Sequence, residues 1–125
     1  VRFSVSTLNT VGQAVAQSLS PSVAPKTANQ ILRVRSLTTS LSEILATFED
    51  VTGAKWTVHE ADLDAEVKEA QAKLQKGDFS GVGNLIFGAA LDTRTEMDFD
   101  AGGRASNAVL ELPTLELKPT IKSVL

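Results

Sequence analysis

The chain has no cysteine and no tyrosine, one histidine, one tryptophan and only 5% aromatic residues. Each shortage removes a class of function. Without cysteine there is no disulfide framework and no thiolate metal site, and a reducing, cytoplasmic setting is expected. Without tyrosine there is no Tyr-x-x-x-Lys proton-donor pair. His59 stands alone, with no second imidazole or thiolate to complete a metal site, so no metal is expected. No apolar run approaches the ~20 residues needed to span a bilayer, and no signal-peptide pattern is present. Basic residues are scarce too: 12 Lys and Arg against 15 Asp and Glu leave a net charge of −3. Direct nucleic-acid binding is therefore not expected. What is present is globular: 42% hydrophobic and 22% charged residues in a chain of 125, one domain's worth of core.

Residues 30 to 58 carry the clearest structural signal. Ile31, Leu32 and Val34 make a short apolar run of strand length. Ser40 followed by Glu43 is a capping box, in which each side chain satisfies a backbone donor left open at a helix start. Leu41, Ile44, Leu45, Phe48 and Val51 then recur at helical spacing. Gly53 is placed to stop that helix in a left-handed conformation. Lys55-Trp56-Thr57-Val58 has strand composition. Strand, helix and strand in this order predict a βαβ unit and hence a parallel pair.

The flanking segments extend the alternation. Residues 2 to 6 alternate like a half-buried strand. Thr10 with Gln13 reads as a second capping box, opening a helix with Val11, Ala14, Val15 and Leu19 on its face. Asp62 is a cap for a helix carrying Leu63, Val67, Ala70 and Leu74, stopped at Gly77. Residues 79 to 91 form an apolar helix, and 96 to 100 alternate as a last short strand. Pro113 and Pro119 leave the tail undecided. The fold class predicted is α/β: a small, mainly parallel sheet from 2 to 6, 30 to 35 and 55 to 59, flanked by helices at 10 to 19, 40 to 52, 62 to 76 and 79 to 91.

Catalytic signatures are missing. Gly81-Val-Gly83 followed by Gly88 misses G-x-G-x-x-G by two positions and follows a helix instead of a strand, so it does not present the turn that cradles a pyrophosphate. Close helix packing through small residues is the alternative. Ser80 is not midway between two glycines, as a nucleophile elbow requires. Asp62 with Asp64 and Asp98 with Asp100 are acid pairs without a buried setting that would shift a pKa. No catalytic residue and no cofactor-binding residue is assigned.

Several segments together resemble the NmrA-like family of atypical short-chain dehydrogenase/reductase proteins, which includes isoflavone reductases. They are Ser-Thr-Leu-Asn-Thr-Val-Gly-Gln-Ala-Val-Ala (6 to 16), Pro-Lys-Thr-Ala-Asn (25 to 29), Leu-Thr-Thr-Ser-Leu-Ser-Glu-Ile-Leu (37 to 45) and Val-Thr-Gly-Ala-Lys-Trp (51 to 56). Lys-Gly-Asp-Phe-Ser (76 to 80) and Met-Asp-Phe-Asp (97 to 100) follow at matching places. The resemblance implies that residues 1–125 are the C-terminal, substrate-binding portion of a Rossmann-type NAD(P)-binding protein. The NADP(H)-holding Gly-rich loop and the active lysine of that family lie before the matched region. A chain beginning at Val1, inside a strand, agrees with that expectation.

By the same resemblance, the helix at 79 to 91 lines a substrate pocket, with Asn84, Phe87, Gly88 and Leu91 facing the cleft and Val82, Leu85, Ile86 and Ala89 on the core. Plant reductases of the family carry a histidine where this chain has Gly88, which sets their substrate class apart. Ordinary helix packing is the competing reading for all four residues. Two functions follow: the substrate side of an NADPH-dependent reductase acting on a small aromatic or phenolic compound, inactive alone, or part of a non-catalytic NAD(P)-sensing transcriptional regulator that binds a protein partner. A truncated product without activity is a third. The ligand or partner is expected on the face the missing domain would cover, where one apolar flank should stay open.

Overall fold

The computed structural model describes all of residues 1–125. Its elements are β1 (Phe3–Val5), α1 (Leu8–Ser18), α2 (Ala24–Thr27), β2 (Leu37–Thr39), α3 (Leu41–Thr52), α4 (Leu63–Gln75), α5 (Val82–Leu91) and α6 (Leu117–Lys122). Short 3-10 turns occupy Phe79–Gly81, Thr93–Thr95 and Ala101–Gly103. No helix is long and apolar enough to cross a membrane.

The helices start and stop where local chemistry places them. The Ser40 hydroxyl accepts from Glu43 N at 3.3 Å, and the Glu43 carboxylate accepts from Ser40 N at 3.1 Å, completing the capping box of α3. Gly53, at φ 68°, closes α3 by donating to the Glu49 carbonyl at 2.9 Å. The Asp62 carboxylate accepts from Ala65 N at 2.8 Å and opens α4. One cap is displaced: α1 begins at Leu8 because Thr7 is its N-cap, accepting from Thr10 N at 3.2 Å. Thr10 is buried inside the helix, where its hydroxyl accepts from Ser36 Oγ at 2.7 Å. In α6, Pro119 falls in the first turn, where a missing N–H has no helical partner to lose.

The sheet differs from the parallel one expected. It has two strands, β1 and β2, paired antiparallel with Phe3 opposite Thr39 and Val5 opposite Leu37. Residues 30 to 35 do not pair as a strand: the distant loop at 106–107 holds them through one backbone bond, Ser106 N to Arg33 O at 2.7 Å, and otherwise through side chains. Arg33 N donates to Ser106 Oγ at 3.0 Å, and the Asn107 carboxamide both accepts from Arg35 N at 3.2 Å and donates to Arg35 O at 2.7 Å. Residues 55 to 59 are not a strand either. The Glu49 carboxylate takes the Trp56 N–H at 3.2 Å and the Lys55 ammonium at 2.5 Å, folding the segment back along α3. The βαβ unit is therefore absent. Residues 96 to 100 run along the free edge of β1 without forming a strand: Ser4 N donates to Met97 O at 2.8 Å.

The core is thin. Only 14 of 125 residues are buried, which leaves several apolar helix faces uncovered. Ala14, Val23 and Leu110 form its centre, with Leu32, Val34, Val109 and Leu112 packed around it. The predicted stripe of α3 forms, yet no residue of that helix is fully buried. Its cover is Trp56, whose ring lies 5.8 Å from that of Phe48. On α1 the inward residues are Thr10 and Ala14, while Val11, Val15 and Leu19 face solvent.

Candidate functional site

The structure separates the four residues singled out on α5. Asn84 is exposed, and its amide donates to the Glu66 carboxylate of α4 at 2.8 Å. Phe87 is 58% exposed. Leu91 is half-buried and lines a groove. Gly88 is buried against α4, on the packed side of the helix instead of the open one. A Cβ there would meet Val67 Cγ2 at 2.4 Å, and one on Gly81 would meet the Ala70 Cα at 2.8 Å. The contact stripe therefore runs through Gly81, Leu85 and Gly88. Ile86 and Ala89, expected on the core, are exposed. The helix turns its smallest side inward because glycines allow the closest approach of two backbones, and packing through small residues accounts for Gly81 and Gly88.

The groove reached by Leu91 has a volume of 390 Å³ and lies between the start of α3, the segment before α4, α4 itself and the end of α5. Leu41, Leu63 and Leu91 supply apolar wall, while His59, Glu66 and Ser42 supply polar atoms. It abuts an all-apolar hollow of 230 Å³ lined by Leu41, Ile44, Leu45, Phe48 and Trp56. An apolar wall with a few polar groups suits a flat, mostly apolar ligand carrying a hydrogen-bonding substituent.

A larger cleft of 590 Å³ lies between β2, α3 and the loops around Asp98 and Thr114. Arg2 crosses its mouth, with Nη1 2.7 Å from Glu43 Oε1 and Nη2 donating to Thr38 O at 2.8 Å. On the other side Arg35 donates to Asp100 at 2.6 Å and to Thr114 Oγ1 at 2.9 Å. The Arg2 hydrogen bond, followed by that of Thr39, holds the Glu43 carboxyl below its ordinary range. Desolvation pushes the Asp100 carboxyl up, but hydrogen bonds with Thr38 and Arg35 and the charge of Arg35 outweigh it, and the net shift is downward. Carboxylates held in that direction accept hydrogen bonds and do not serve as proton donors near neutral pH. The cleft is equipped to hold polar groups.

Sequence reading missed this cleft. Asp98 and Asp100 stood out as an acid pair, but Arg2, Arg35 and Glu43 come from positions far apart in the chain. No group of three or more histidine or acidic residues converges as a metal site.

No protein-family model and no solved structure matches the chain. It is similar, however, to fungal proteins named as oxidoreductases. Oxidoreductase aprR of Aspergillus flavus is 29% identical over 124 residues, 99% of this chain and 41% of that protein. Oxidoreductase poxI of Penicillium oxalicum is 34% identical over 76 residues, 61% of this chain and 24% of that protein. The chain is thus a distant relative of oxidoreductases, and it spans about two fifths and a quarter, respectively, of their lengths.

Proposed function

We propose that residues 1–125 are the substrate-side portion of an NmrA-like, NADPH-dependent reductase acting on a small aromatic or phenolic compound. The observation that carries this reading is the similarity to an oxidoreductase along 99% of the chain but only 41% of that relative. Hydride chemistry then belongs to cofactor-binding parts outside the aligned region, and these residues select the substrate. The groove containing Leu91 is the substrate subsite. Leu41, Leu63 and Leu91 lie against the ring, and His59, Glu66 and Ser42 are available to its hydroxyl group. Phe87 and Asn84 sit outside it, on the open side of the same helix.

A direct test is calorimetric titration of the 125-residue chain with NADPH and, separately, with simple phenols. Weak phenol binding that Leu91→Asp abolishes, without NADPH binding, is the expected result. Micromolar NADPH binding to the chain alone, or phenol binding indifferent to Leu91, overturns the proposal.

A non-catalytic NAD(P)-sensing regulator is the second reading. It is favoured by the 590 Å³ cleft, a charged surface in which Arg2 pairs with Glu43 and Asp100 with Arg35 while Asp98 has no ion-pair partner. A polypeptide containing this chain that binds NADPH but turns over no carbonyl or enone substrate would select it.

A further inference from the structure

We propose that the outer face of α1 is a docking face for the domain that the longer oxidoreductase relatives carry beyond the region aligned with this chain. The proposal rests on the reading of the chain as one portion of such a protein. Leu8, Val11, Val15 and Leu19 fall at helical spacing on one side of α1 and are 91%, 45%, 56% and 75% exposed. Large aliphatic side chains aligned on one exposed stripe mark an interaction surface, whereas scattered ones do not. The chemistry around the stripe agrees. No charged side chain lies between Arg2 and Lys26, although 22% of the whole chain is charged. Depletion of charge is the compositional mark of an interface centre. Gly12, in mid-helix on the same side, has nothing within 4 Å of where its Cβ would be. A glycine there weakens the free helix and admits a close neighbour.

The occupant follows from area and length. A helix of eleven residues is about 16 Å long. Four aliphatic side chains on it cover well under the ~800 Å² per partner of a stable association between separate molecules. A second copy docking through this stripe alone is therefore disfavoured. A domain in the same polypeptide needs less surface, because covalent connection supplies a high effective concentration. Most of the Aspergillus flavus relative lies outside the aligned region and is available for this role.

The test compares two proteins as they exist. Side-chain footprinting with a carbene label is applied to the 125-residue chain and to the full-length Aspergillus flavus relative. The expected result is strong labelling of Leu8, Val15 and Leu19 in the short chain and at least about tenfold less on the aligned helix of the relative. Equal labelling overturns the proposal. So does protection in the short chain that disappears on dilution, which identifies a second copy as the occupant. As an independent check, Leu8→Lys with Val15→Lys in the short chain should shift its melting temperature by less than about 2 °C. A fall of about 10 °C would show that the stripe already serves the chain's own core, and would also overturn the proposal. NADPH titration of the relative keeps the two ideas apart: a protected helix in a protein that binds no NADPH sinks the reductase reading and leaves the docking face standing.

Discussion

Gly88 lies flush against Val67: a Cβ built on the glycine would sit 2.4 Å from Val67 Cγ2. A β-branched residue in a helix has one strongly preferred χ1, so Val67 has little freedom to turn away. Gly88→Ala should therefore destabilise by about 1–3 kcal/mol, despite the better helix propensity of alanine. Gly81→Ala meets backbone, the Ala70 Cα at 2.8 Å, and should cost at least as much. Urea denaturation with Val67→Ala in the same background separates them. The truncation should relieve Gly88→Ala and leave Gly81→Ala unrelieved.

Gly83 provides the opposite sign on the same helix. Nothing lies within 4 Å of its missing Cβ. Gly83→Ala should stabilise the chain by roughly 0.5–1 kcal/mol by shrinking the unfolded ensemble. A midpoint that falls instead would mean that α5 is covered on both sides.

Acid sensitivity should trace to paired carboxylates. Arg94 holds the Asp92 carboxyl down to about 2, from an ordinary 3.8, and Glu43 is also lowered, by Arg2 first and Thr39 second. A depressed folded pKa stabilises above the unfolded value, and that contribution is lost as pH falls through the folded one. Melting temperature should therefore decline below about pH 4.5 for the Glu43 share and continue down toward pH 2 for the Asp92 share. Asp92→Asn should flatten the lower part of that decline and leave the upper part in place. Identical profiles for the variant and the parent would refute the assignment.

Arg35 and Asp100 form an asymmetric pair: the guanidinium is 12% exposed and the carboxylate 45%. Asp100→Ala leaves a mostly covered cation with Thr114 as its remaining side-chain partner. The loss should be on the order of 1 kcal/mol, at the upper end for a partly solvated pair. Truncating Arg35 along with Asp100 should cost less than the sum of the two single changes.

The single tryptophan reports on the groove. Trp56 is 53% exposed, packs on Phe48 and shares the apolar hollow with Leu41, which also lines the groove below it. An aromatic ligand entering either space should shift or quench its emission. Saturable quenching by a phenol, lost in Leu41→Asp, is the expected fluorescence result.

Helices were legible in the sequence because their caps are local. Ser40 and Glu43, Asp62 and Gly53 act on backbone within four residues of themselves, and each did so. Strands were not, because their partners are chosen at a distance. Residues 30 to 35 have strand composition, yet Arg35 is paired with Asn107, 72 positions away. Lys55 to Val58 also have strand composition, but Glu49 captures the Trp56 N–H before any neighbouring strand is available. The same reason hid the large cleft, where Arg2 meets Glu43 across 41 positions and Arg35 meets Asp100 across 65. On α5 the family resemblance put Gly88 toward a cleft, whereas the helix packs on α4 through Gly81 and Gly88, the close small-residue packing that was the competing reading.

The clamp of Asn107 on Arg35 also sets an order of events during synthesis. Arg33, Arg35 and Ser36 find backbone or side-chain partners in Ser106, Asn107 and Leu115, all near the end of the chain. When synthesis has reached residue 100, Ser36 can already bond to Val5 and Thr10, but the link between α2 and β2 still lacks its bonds to Ser106, Asn107 and Leu115. That link closes only when residues 106 to 115 emerge, so the segment between α2 and β2 settles well after its own translation.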